Sequence, residues 1–156
     1  MISVYRCGKC NYLPDVSGYG AYKYGGRWNS KGNYILYTAS NPSLALLECV
    51  VHMTPIMPNI AYCMLKLNIN INDDLIHTLH SSELKSGWEA DQSLEYCKSI
   101  GDRFIKESKY LILKVPSAIL PMEWNLLINP RHPLMNKLSQ EFILPVMIDP
   151  RIKKSI

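Results

Sequence analysis

Glu48 is the residue that most restricts how this chain can fold, because it is a carboxylate inside a helix that is otherwise apolar. The run Leu44 to Met53 (LALLECVVHM) carries apolar side chains nearly all round, which predicts a buried helix. Ser40 or Asn41 can cap its start, and Pro42 suits the first helical position, where a missing N–H costs nothing. Glu48 and His52 are the two polar residues in the run, four apart and on one face. A carboxylate in such a place is costly unless it is paired or hydrogen-bonded. Either Glu48 and His52 satisfy each other, or Glu48 meets Arg27 in a structural ion pair, or the carboxylate is kept for chemistry.

The helix closes a unit that begins at Ser17. Asn33 to Thr38 (NYILYT) is aromatic and β-branched enough for a strand, with Ile35 and Tyr37 on one face and Tyr34 and Leu36 on the other. Ahead of it stands Gly25-Gly26-Arg27-Trp28-Asn29. Paired glycines turn tightly and let backbone N–H groups approach a ligand. Arg27 adds a planar, permanently charged fork suited to carboxylate or phosphate oxygens. The irregular stretch Asn11 to Gly26 leads into it, and ordered loops of that length are often functional. Its Tyr19, Tyr22 and Tyr24 serve either as stacking surfaces or as cover for the edge of the core.

With 156 residues the chain reads as one domain, 1–156, large enough for a core without staples. Arg6 and Lys9 interrupt any signal-like apolar run, and no stretch has the length of a membrane span. Five cysteines, an odd number, predict reduced thiols of a cytoplasmic protein. Cys7-Gly-Lys-Cys10 lacks the second close Cys/His pair a zinc site needs, so no metal is expected. Cys49, Cys63 and Cys97 read as small core hydrophobes. His77 and His80 lack a third ligand and read as surface residues. The net charge of +4 is mild and its basic residues are dispersed, which argues against direct nucleic-acid binding.

Further strands are predicted at Ile2 to Arg6, Ile60 to Asn68, Tyr110 to Val115, within Pro121 to Pro130, and at Phe142 to Ile148, where Pro145 argues for a sheet edge. Thr54 to Asn59, with two prolines, ends the central helix. Asp91 to Ile100 predicts a helix, Gly101 a stop or break, and Asp102 the cap of a second short helix through Lys106. Another helix is expected from about His132 to Leu138. On local grounds Ser117, at a strand end after Pro116, is a turn residue. About six short strands and three or four helices make an α+β mixture, too irregular in alternation for a doubly wound sheet.

Taken together these pieces resemble the RES-domain family of bacterial toxins encoded beside an Xre-type antitoxin. The resemblance rests on Tyr5-Arg6, Ser17-Gly18, Gly25-Gly26-Arg27-Trp28-Asn29, Lys31-Gly32, Leu36-Tyr37-Thr38, Ser43 to Glu48 and His52. It continues through Gly101-Asp102-Arg103, Val115-Pro116-Ser117, Asn125, Leu127 to Pro130 and His132-Pro133. Phe104, where tryptophan is common, and Cys49 are departures, and neither removes a supposed catalytic group. The arginine, glutamate and serine of the family name fall on Arg27, Glu48 and Ser117. The resemblance implies an ADP-ribosyltransferase-like split mixed β-sheet with flanking helices, NAD+ as substrate in its cleft, and a toxic, NAD-consuming activity. It implies a cognate Xre-type antitoxin as partner, with any nucleic-acid contact made through that antitoxin, in a homodimer or a toxin–antitoxin hetero-oligomer.

Cleaving the nicotinamide–ribose bond gives a sugar of oxocarbenium character, which a nearby carboxylate stabilises. Glu48 is the expected source of that charge, Arg27 the phosphate clamp and Tyr37 the platform for the nicotinamide ring. Ser117 and Asn129 are expected to hydrogen-bond the nicotinamide amide or the ribose, and His52 to orient Glu48. Water, phosphate or a protein can accept the ADP-ribosyl group, and loop economy favours water. A nucleotide-binding module without turnover is the reading from another class.

Overall fold

The computed structural model describes residues 1–53 and 60–153; the expected helix-ending segment Thr54 to Asn59 lies outside them. Among the described residues seven strands form one mixed sheet: β1 (Ile2–Lys9), β2 (Leu36–Ala39), β3 (Tyr62–Ile69), β4 (Ile76–Thr78), β5 (Ile112–Pro116), β6 (Trp124–Ile128) and β7 (Leu138–Val146). Their order is β4-β5-β6-β2-β1-β3-β7, antiparallel except where β4 lies parallel to β5. Among the same residues three α-helices accompany the sheet: α1 (Tyr19–Tyr24), α2 (Pro42–Val51) and α3 (Leu94–Glu107). The fold class is α+β, as the pattern implied.

The sheet is split where β1 meets β2. β1 pairs with β3 along its whole length, from Ile2↔Ile69 to Lys9↔Tyr62, and β2 pairs with β6 from Leu36↔Ile128 to Ala39↔Asn125. The two halves touch through one register pair, Tyr5↔Ala39. Beyond it Arg6 and Cys7 on one strand part from Thr38 and Tyr37 on the other.

Cross-strand partners share a face and alternate residues share it too. One face is therefore continuous across the split: Val4, Leu65 and Leu67 join Leu36, Ile112, Leu126 and Ile128, with Leu13 and Leu111 packed over them. The opposite face is covered in two parts. Helix α2 lies over the β1 half, with Leu44 and Ala45 against Ala39 and Met64. Helix α3 and Trp28 lie over the β5–β6 half, where Cys97 and Phe104 meet Leu113, Val115 and Leu127. Between them, on this face of β2, Ala39 is closed over by α2 and Tyr37 is half-buried.

Four local expectations change. Helix α2 begins as predicted, with Asn41 accepting from the Leu44 N–H (2.8 Å) and Pro42 in the first turn. It is not buried all round, because one side meets the sheet and Val51 is 53 % exposed. Gly101 does not stop a helix; α3 runs through it, and Cys97, Gly101 and Phe104 make its buried stripe. The Ile69 to Trp88 stretch contains β4, whose three residues leave no periodic signal. Finally, Cys10 and Cys63 are joined in a disulfide, where reduced thiols were expected. The antiparallel register pairs Cys63 with Gly8, and Cys10 lies just past the end of β1, its Cα 5.0 Å from that of Cys63, a proximity that spacing alone does not reveal. Strand β7, with Pro145, does lie at the sheet edge.

Candidate active site

Helix α2 carries Glu48 to the rim of the split. Its Oε1 accepts two short bonds, from Ser117 Oγ (2.8 Å) and Asn125 Nδ2 (2.6 Å). Its Oε2 faces His52 Nε2 at 3.9 Å, one helical turn on, and the Glu48 side chain is 24 % exposed. One oxygen is thus fixed by protein and the other left available. That asymmetry is what a carboxylate presented to a ligand requires.

Ser117 is fully buried. Its hydroxyl donates to Glu48 and its oxygen accepts from the Ile119 and Leu120 N–H groups (3.1 and 3.2 Å). The turn function read locally and the link to Glu48 are therefore one arrangement, and its partner is the carboxylate itself. Asn125 is the residue that sequence reasoning missed. It stands among the residues of the resemblance without a role, because that role needs β6, α2 and the end of β5 to converge.

Arg27 and Tyr37 form the neighbouring part. The Tyr37 hydroxyl donates to Asn29 Oδ1 (2.8 Å) and accepts from the Trp28 N–H (3.0 Å). Burial pushes this hydroxyl well above the ordinary tyrosine range, opposed by the Trp28 N–H bond. Its oxygen is committed to the loop, which leaves the ring as the part able to meet a ligand. Gly26 packs on that oxygen: a Cβ there would come 2.5 Å from it. Asn29, fully buried, donates to the carbonyls of Ala21, Ser30 and Asn33 (2.9–3.1 Å). The Arg27 guanidinium reaches the Trp88 carbonyl (3.3 Å) and Asp91 (3.6 Å) rather than Glu48. The Asp91 side chain is 95 % exposed, so this pair is weak and readily exchanged.

Register ties the two parts together. Tyr37 and Ala39 share a face of β2, and Ala39 pairs with Asn125, which pairs in turn with Val115, two residues before Ser117. Tyr37 therefore stands about 7 Å along the strand from the Asn125 row, on the face that Glu48 approaches. Arg6 adds a second cation at the split. One of its N–H groups donates to the Asp15 carbonyl (2.8 Å). Burial lowers its pKa, opposed by attraction to Asp15 and to Cys49, the neighbour of Glu48 on α2.

Two predicted residues stand apart from this core. His52 is at the rim, its side chain 78 % exposed. Asn129 is buried at the far end of β6, where it donates to Ser108 Oγ (3.2 Å) and accepts from the Arg131 N–H (2.9 Å); the structure does not bring it to Glu48. Two surface recesses of ≈310 and ≈320 Å³, one beside Lys9 and Tyr12 and one beside Asp73 and Lys114, are lined by other residues. Among the described residues no cluster of three or more His, Cys, Asp or Glu is arranged to hold a metal ion, and no helix is long and apolar enough to cross a membrane.

The fold has a counterpart among solved structures. A chain of the M. tuberculosis MbcT–MbcA toxin–antitoxin complex superposes with a TM-score of 0.76, covering 93 % of this chain and 84 % of that one at 18 % identity. The RES domain family model matches residues 3–148, and the chain belongs to that family. It is 37 % identical over 152 residues to Toxin Res of Yersinia enterocolitica, covering 96 % of this chain and 99 % of the relative. It is 35 % identical over 142 residues to the Prs ADP-ribosylating toxin of a Sphingobium species, covering 88 % and 86 %.

Proposed function

We propose that this chain is the toxin of a toxin–antitoxin pair and hydrolyses NAD+ in the cytoplasm: NAD+ and water give ADP-ribose, nicotinamide and a proton. The observation that carries this reading is the Glu48 carboxylate, with Oε1 held by Ser117 and Asn125 and Oε2 turned to the rim, where the exposed His52 stands 3.9 Å away. Nicotinamide leaves as a neutral molecule, so no acid is needed to protonate it. The positive charge developing on the ribose is met by the free oxygen of Glu48, which also accepts a ribose hydroxyl. Ser117 and Asn125 keep that oxygen aimed, and the Tyr37 ring packs on the nicotinamide. Arg27 exchanges its exposed partner Asp91 for the pyrophosphate, with Arg6 as a second cation at the split. His52 assists from the rim, and Asn129 has no part in this scheme.

Water is the acceptor favoured by the short, lightly charged loops around Arg27. Nicotinamide and free ADP-ribose should then appear in equal amounts from pure protein and NAD+, as read by mass spectrometry. Release of nicotinamide only when a cellular protein is added, with ADP-ribose bound to that protein, would overturn hydrolysis. The name of the Sphingobium relative favours that second reading. Absence of nicotinamide under either condition would leave a nucleotide-binding module without turnover. The partner is proposed to be an Xre-type antitoxin that covers the split. The half-covered apolar surface of α2, with Val51 exposed and Leu46 and Leu47 half-buried, supports its seat there.

Arg27→Lys is expected to weaken NAD+ binding about 10-fold although charge is kept, because a point charge replaces a two-pronged donor. Titration of the variant checks this, and unchanged affinity would make Arg27 a structural residue.

A further inference from the structure

Arg27 lies in a loop without regular secondary structure, yet its backbone is held from outside by one helix. Gly26 and Asn29 bridge each other across Arg27. Immediately after that bridge the Ser30 N–H donates to Asp102 Oδ1 of α3 (2.9 Å), and Asn33 Nδ2 donates to the same oxygen (2.8 Å). Both bonds to the Asp102 carboxylate are charge-assisted, the stronger kind. One residue earlier on α3, Gly101 lies under Trp28, with the Trp28 carbonyl oxygen occupying the space of a side chain. The two consecutive helix residues therefore grip the chain immediately after Arg27, one by shape and one by charge.

We infer that Asp102 is the positioning residue for Arg27, and that its carboxylate sets where the guanidinium meets the anionic part of the substrate. This rests on the pyrophosphate-binding role proposed for Arg27. Asp102 does not approach the reacting bond, so its influence falls on binding of the phosphate-bearing part and spares the chemical step. A residue that only stabilised the fold would instead lower the melting temperature and leave the affinity of folded molecules unchanged.

The test uses the full chain and two probes, NAD+ for turnover and ADP for binding, since ADP has the pyrophosphate and lacks the scissile bond. Asp102→Ala should raise KM for NAD+ and weaken ADP binding about 10-fold, roughly the loss expected from one charge-assisted contact, with kcat within about 2-fold. Asp102→Asn keeps an acceptor oxygen and should recover most of that affinity. The decisive measurement is the double variant: Arg27→Ala with Asp102→Ala should bind ADP no more weakly than Arg27→Ala alone, because both act through one guanidinium. Should Asp102→Ala fold poorly, Asn33→Ala removes one of the two donors and should show the same non-additivity on a smaller scale. Losses that add, or that appear in kcat and not in KM, overturn the positioning role while the proposed hydrolysis stands. A wild-type chain that turns over NAD+ yet binds ADP no better than its Arg27→Ala variant overturns this inference, and one that neither binds nor turns over NAD+ overturns the proposed function itself.

Discussion

Glu48→Gln is expected to lower NAD+ turnover by a factor on the order of 10²–10³ while the protein remains folded, the range seen when one electrostatic stabiliser is removed. Both donors to Glu48, from Ser117 and Asn125, converge on Oε1. A glutamine keeps an oxygen in that position, so both bonds survive and the helix stays docked. What changes is the outward atom, where a neutral amide replaces the oxygen that would face the ribose. Substrate binding should change little, since the anionic pyrophosphate is held elsewhere. Nicotinamide release at near the parental rate would sink the role given to Glu48. A large fall in melting temperature would show instead that the carboxylate serves the fold.

Gly101→Ala is expected to be the most damaging single methyl group in the chain. The added Cβ would overlap the Trp28 carbonyl oxygen. That oxygen belongs to backbone, whose neighbouring ring is pinned against Trp88 with centroids 5.7 Å apart, so it has little room to retreat. Overpacking of a tight core costs about 1–3 kcal/mol, and a clash with fixed backbone belongs at the upper end. For a chain of this size about 3 kcal/mol lowers the melting temperature by roughly 6–12 °C. Folded molecules should also bind NAD+ poorly, because the displaced carbonyl adjoins Arg27. An alanine variant with parental melting temperature and parental NAD+ affinity would show that α3 and the loop slide apart freely.

These two residues also mark how far the sequence could be read. Glu48 stood out because an apolar helix makes one carboxylate conspicuous, and Asn41-Pro42 announced where that helix begins. The strand carrying Tyr37 and the edge strand with Pro145 were legible for the same reason, since their signals are local. Gly101 was misread, because a glycine that ends a helix and one that admits a neighbouring backbone look alike until the neighbour is present. Strand β4 has three residues and depends on β5 for its pairing, so its own composition says little. Asn125, and the placement of Asn129 at the wrong end of β6, turned on which end of a strand faces Glu48. That question belongs to sheet order, and the order here runs non-sequentially through β6, β2 and β1.

The Cys10–Cys63 bond makes the chain between them, a separation of 53 residues, into a covalent ring. Arg27, Tyr37, Glu48 and His52 are all threaded on that ring, while Arg6, Ser117 and Asn125 lie outside it. Closing a ring of this length removes conformational freedom from the unfolded chain amounting to about 4 kcal/mol. With the bond reduced, the β1–β3 ladder of eight register pairs would still hold the ends of that segment together, and the pairing of β2 with β6 would still set Tyr37 beside the Asn125 row. Thiol chemistry thus bears on the stability of the segment that carries Arg27, Tyr37 and Glu48, at a distance from every residue that would touch the substrate.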